Sequence, residues 1–153
     1  MSDRTVSLDY ANDLIYELER AFWDERGRGC RYRTTTVGRK FFADKCLPAI
    51  EATDPDSIVR TISDVLRKEG VVADVSFTRE DRLLRITFQG CIHQQVEKKM
   101  VENGIEPFTC MPSNLIVLAV EEKLNRPVEL AQIKVEGDSC RSLLILFDKR
   151  PEV

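Results

Sequence analysis

Near Gly70 the spacing of apolar residues changes from about four to two, and that change constrains the fold more than any other feature of the chain. Beyond it Val71, Ala73, Val75 and Phe77 alternate with polar residues, and after the charged turn R-E-D-R so do Leu84, Ile86 and Phe88. Two alternating runs joined by so short a turn make a hairpin, and hairpin strands cannot be parallel. A second pair runs from about Val128 to Glu136 and from Arg141 to Phe147, joined at E-G-D-S. The unbroken apolar run from Leu143 to Phe147 predicts a central strand covered on both faces.

The other segments carry helical periods. Leu8, Ala11, Ile15, Leu18 and Phe22 fall on one stripe of a helix over 7–23, with Ser7 as cap and a face that must pack. A second helix is expected from about Thr35, with Gly38, Phe42 and Cys46 at spacing four, closing before Pro48. Asp54 caps a third, Pro55 opens it, Ile58, Ile62, Val65 and Leu66 line one face, and Gly70 ends it. Cys91 opens a fourth with Ile92, Val96 and Met100 inward, stopped at Asn103-Gly104. Ser113 can cap a fifth through Leu124, whose L-I-V-L-A-V start is apolar almost all round and therefore buried.

Runs of strands separated by runs of helices predict an α+β fold: N-terminal helices packed on an antiparallel sheet built from two β-hairpins with two helices between them. At 153 residues the chain reads as a single domain, helical over 1–70 and hairpin-helix-helix-hairpin over 71–148. A net charge of −3 gives no overall pull towards nucleic acid. The N-terminus lacks the apolar core of a signal peptide and no apolar run is long enough to span a bilayer, which predicts a cytoplasmic protein. There, five cysteines read as free thiols, metal ligands or redox groups and not as a disulfide framework.

Cys91, Cys110 and Cys140 each stand at a junction between an element and a turn, where distant thiols can converge. Either they fill core, or with His93 or a carboxylate as fourth ligand they hold zinc or an iron–sulfur cluster. Cys110 precedes a helix start, which favours a thiolate. His93 is the only histidine, so acid–base chemistry would run through it; phosphate-loop, dinucleotide and H-E-x-x-H signatures are absent, and no catalytic residue is assigned. Arg26, Arg28, Arg31 and Arg33 around Tyr32 form either a solvated basic loop or an anion site suited to carboxylate or phosphate.

The C-terminal half resembles the 4-vinyl reductase domain family, small α+β domains related in fold to the small subunits of the TRAPP tethering complex. The resemblance rests on Cys110 ahead of an apolar helix and on Gly137, Asp138 and Cys140 ahead of the Leu143 to Phe147 strand, and is looser at Gly38 and Phe42. It implies a pocket for a small hydrophobic ligand between helices and sheet, and metal ligation at Cys110 and Cys140 with Cys91 as a third candidate. Zinc-binding sensory members carry Glu-x-x-Cys before the final cysteine motif, whereas here Gln132 follows Glu129 at that distance.

The expected function is therefore a binding domain for an apolar or tetrapyrrole-like ligand, walled in part by Phe42 and Leu115, with a metal or iron–sulfur centre at the cysteines. Its place by resemblance is pigment metabolism or photosystem assembly, with a protein partner in a membrane complex. Two alternatives stand beside it: a reductase component using a cysteine-bound cluster, and a dimeric assembly or tethering module without metal.

Overall fold

The computed structural model describes residues 4–32 and 34–149. It is an α+β fold of five helices and a four-stranded antiparallel sheet, in the order α1 (Leu8–Arg26), α2 (Arg39–Phe41), α3 (Pro55–Lys68), β1 (Asp74–Glu80), β2 (Leu83–Gln89), α4 (Gln94–Glu102), α5 (Met111–Leu124), β3 (Val128–Glu136) and β4 (Ser139–Leu146). The strands lie in the order β1-β2-β4-β3, so the two hairpins join through β2 and β4.

Local chemistry sets most of the boundaries. Ser7 Oγ accepts from the Tyr10 amide at 3.1 Å, and the Asp54 carboxylate from the Ser57 amide at 2.9 Å, each satisfying an orphan donor of a first helical turn. The second helix starts four residues later than its spacing predicts. The Thr34–Gly38 stretch is a turn, Gly38 has φ 102°, and after Phe41 the backbone widens into a π-turn over Phe42–Cys46, then tightens into a 3-10 turn at Leu47–Ala49 that takes in Pro48. A Cβ on Gly38 would lie 3.1 Å from Met111 Cγ and 3.5 Å from Leu115 Cδ2, so the glycine also lets this turn press against α5. β1 likewise begins at Asp74 and not at Val71, because Val71 and Val72 are spent in the core ahead of the strand.

One core lies between the sheet and the helices α3 and α5, with Phe42, Ile58, Ile62, Leu84, Phe88, Leu115 and Leu144 among its members. The other face of the sheet is not covered by any described helix: Arg85, Lys134 and Arg141 are exposed, and Leu143 and Ile145 are only half-buried. The expectation of a β4 covered on both faces is thus corrected. Its alternate residues Ser142, Leu144 and Leu146 fill the helical side, and the apolar run leaves the rest at an open surface. A smaller core of Cys30, Met100, Ile105 and Phe108 packs with Tyr16, Phe22 and Trp23, holding α1 against α4.

At the end of β2, Gly90 has φ 64° and a Cβ there would meet Ala73 Cβ at 2.9 Å. Gly90→Ala should cost about 1–3 kcal/mol through left-handed strain and overpacking, read as a lowered urea midpoint at unchanged slope.

Candidate functional site

Along α1 the predicted apolar stripe does not vanish into the core. Asn12 is the buried residue of this helix, while Leu8, Leu14 and Leu18 are exposed, Leu18 by 65%. The stripe instead forms one wall of a groove of about 460 Å³ lined by Ile15, Leu18, Glu19, Phe22, Thr34, Val37, Phe108 and Thr109. Apart from Glu19 and two threonines this lining is apolar, and Val37 on the opposite wall is itself 52% exposed.

A buried asparagine holds that opposite wall. Asn114, in the first turn of α5 and fully inaccessible, directs Nδ2 at Thr34 O (3.0 Å), Val37 O (3.1 Å) and Thr109 Oγ1 (3.0 Å). The Thr109 hydroxyl donates to Thr34 O at 3.3 Å, and the Thr34 hydroxyl to Cys30 O and Phe108 O at 3.3 and 3.4 Å. Three residues of the groove are therefore fixed by one amide, and unmaking such a buried network leaves donors and acceptors desolvated without partners. Phe108 forms part of the floor and stacks on Trp23 with ring centroids 5.8 Å apart.

Glu19 is the ionisable member of the lining. Burial, followed by repulsion from Glu97, pushes its carboxyl up to about 8. Glu97 on α4 is itself buried, burial raises it to about 7, and its Oε2 has no hydrogen-bond partner. A desolvated carboxyl lowers its free energy by keeping its proton, which also turns it from an acceptor into a donor.

Glu97 links the groove to the cysteines. Cys110 is the N-cap of α5, Cys140 lies on β4 opposite Val135 and Phe88, and Cys91 precedes α4 and accepts from the His93 amide at 3.5 Å. Burial, with Glu97 and Cys91 as the next influences, raises Cys110 well above the ordinary thiol range and Cys140 to about 12. Cys91 is raised by burial to about 11. Glu97 thus bears on all three thiols, and Cys91 on the other two. The expected Cys110 thiolate is corrected: full burial outweighs the helix terminus, and the thiol stays protonated. Ser113 is not the cap either; its hydroxyl donates to Ser142 Oγ at 2.7 Å, pinning α5 to β4.

His93 is the N-cap of α4, which begins at Gln94 rather than at Cys91. Its Nδ1 lies 3.2 Å from Asn12 Oδ1, while Asn12 Nδ2 donates to Ile92 O at 2.7 Å. Burial lowers the imidazole, so it stays neutral and serves the α1–α4 joint. Phe42 and Leu115, expected as pocket walls, are 5% and 0% exposed in the main core. Arg28 is exposed and borders a smaller recess of about 80 Å³ beside Trp23 and Phe108. Arg31 and Tyr32 follow in the 3-10 turn Gly27–Tyr32, and Arg33 lies outside the described residues. Cys46, Cys91, Cys110 and Cys140 are free thiols, and no helix among the described residues is long and apolar enough to cross a membrane.

No group of three or more histidine, cysteine, aspartate or glutamate side chains among the described residues is arranged to hold an ion. Cys110 and Cys140 are buried and Cys91 is half-buried. No family model and no curated protein matches the chain.

The carboxyl pair makes stability depend on pH. Both groups bind protons more tightly folded than unfolded, so their contribution is complete below their ordinary value of 4.5 and is lost as pH rises through about 7 and about 8. The thermal midpoint should therefore fall over that interval, and Glu19→Gln with Glu97→Gln should flatten the profile in a calorimetric pH series.

Proposed function

We propose that the protein is a binding domain for a small apolar ligand, seated in the groove between α1 and the Thr34–Val37 turn and touching a protonated Glu19. The carrying observation is the apolar lining of that groove, about 460 Å³, a size within the range of small-molecule sites. Exposed leucine and valine side chains there are costly without an occupant, and covering them supplies hydrophobic free energy of about 25 cal/mol per Å². The protonated Glu19 suits a carbonyl, ether or ring nitrogen on an otherwise greasy molecule, a description that includes tetrapyrrole-like compounds and agrees with the resemblance to the 4-vinyl reductase domains. Binding is preferred to catalysis because the groove offers walls and a single carboxyl.

Trp23 is the only tryptophan and stacks on the floor residue Phe108, so an occupant should change its emission. Titration with protoporphyrin IX should quench Trp23 saturably, and Leu18→Glu should weaken the apparent affinity by about tenfold, ~1.4 kcal/mol, without moving the urea midpoint. Linear quenching that is equal in the variant would remove the reading.

A second reading keeps a metal at the cysteines, and the buried Glu97 with its orphan Oε2 is the observation that favours it. Zinc or an iron–sulfur cluster on Cys91, Cys110 and Cys140 requires the thiols to lose their protons and close together. Elemental analysis of protein purified without air should then find zinc or iron near one equivalent or more, absent from Cys110→Ser. Protein free of both metals, with the Trp23 titration intact, leaves the apolar reading standing alone.

A further inference from the structure

The open face of the sheet has a charge pattern that the groove does not use. Register places its outward side chains in rows across the four strands. One central row reads Ser76, Thr87, Arg141, Lys134, and the next reads Thr78, Arg85, Leu143, Gln132. Together these two rows line a shallow depression of about 440 Å³.

Lys134 and Arg141 stand directly opposite each other, a like-charge pairing that destabilises a sheet when nothing answers it. Arg85 lies on the diagonal from Arg141, about 7–8 Å away by sheet geometry. Among the described residues neither Arg85 nor Lys134 has an ion-pair partner, and Arg141 reaches only Glu136, at 3.7 Å with both side chains more than half exposed. Such a pair contributes little. In a chain of net charge −3, three clustered cations on one uncovered face are a local reversal of sign.

The outer rows decide what kind of anion fits. On one side the next row is Glu80, Leu83, Ile145, Glu129, and on the other it is Asp74, Gln89, Ser139, Glu136. A long polyanion would run from the cations into carboxylates, and the two central rows carry no ring for base stacking, since Phe77 turns inward to Arg60 on α3 at 5.7 Å. A compact anion avoids both. Two guanidinium forks, an ammonium and the hydroxyls of Ser76, Thr78 and Thr87 supply the donors that phosphate oxygens accept.

We propose that this face binds a phosphorylated small molecule, its phosphates held by Arg85, Arg141 and Lys134 across β2, β4 and β3. The three cations lie in the middle of the sheet, so the compound is bounded at both ends by the acidic rows. Leu143 in the same depression gives its carbon skeleton one apolar contact.

Calorimetric titration of the full chain with inorganic pyrophosphate at low ionic strength tests this. Saturable one-to-one binding is expected, weakened about tenfold by each of Arg85→Gln and Lys134→Gln and weakened by added potassium chloride. Both side chains are exposed, so neither substitution should disturb folding. No saturable binding, equal affinity in the variants, or equally tight binding of hexaglutamate would overturn the assignment; the last would identify an acidic peptide as the occupant. The Trp23 titration should be unaffected by these changes, since neither residue lines the groove, so this proposal and the groove stand or fall separately.

Discussion

A helix buried on every side is the constraint from which the remaining structure follows. From Pro112 to Val120 every residue of α5 is buried, so the sheet alone cannot complete its environment. The sheet takes one side through Leu130, Ile133 and Leu144, and α3 with the Phe42–Cys46 turn takes the other. Truncating such a residue costs about 2–5 kcal/mol where neighbours cannot close in, which makes α5 the least replaceable part of the fold. Its polar residues are constrained in turn: Ser113 is spent on Ser142, and Asn114 on the Thr34–Val37 turn.

That second bond connects the core to the groove. Because Asn114 belongs to the buried helix and its partners belong to the groove wall, the shape of the wall is inherited from the core and not from loop chemistry. The buried carboxyls continue the same logic. Glu19 and Glu97 occupy positions where charge is unfavourable, and they accommodate this by holding protons near neutral pH. Burial in this region thus works against charge on two acids, three thiols and an imidazole.

Much of the architecture is legible in residue order alone. The shift from a spacing near four to one of two locates both hairpins, and Asp54-Pro55 and Asn103-Gly104 mark helix ends to within a residue. The errors have physical causes. Thr35 to Gly38 carries a helical spacing, but Gly38 is needed at positive φ to approach Met111, and a tertiary contact overrides the pattern. Leu143 to Phe147 looks fully buried because an apolar run does not reveal whether a second layer exists. At the groove, the stripe from Ile15 to Phe22 is readable, and so is Glu19 interrupting it at helical spacing. Glu97 also shows itself on the inward face with Gln94 and Met100. The role of Asn114 is not readable, since a polar residue in an apolar helix does not name partners about 80 positions away. The places of Cys91, Cys110 and Cys140 beside element ends are legible, but their raised pKa values are not, because those depend on burial.

The attachment of α1 gives the molecule an evolutionary asymmetry. Its lodging rests on Asn12, on the ring pair of Trp23 and Phe108, and on a lysine–aspartate contact between Lys99 and Asp13, none of which belongs to the main core. Side chains on its groove face can be exchanged for larger, smaller or more polar ones while the foundation beneath stays intact. Selection can therefore reshape the groove by editing one outlying segment, leaving the load carried by α5 untouched.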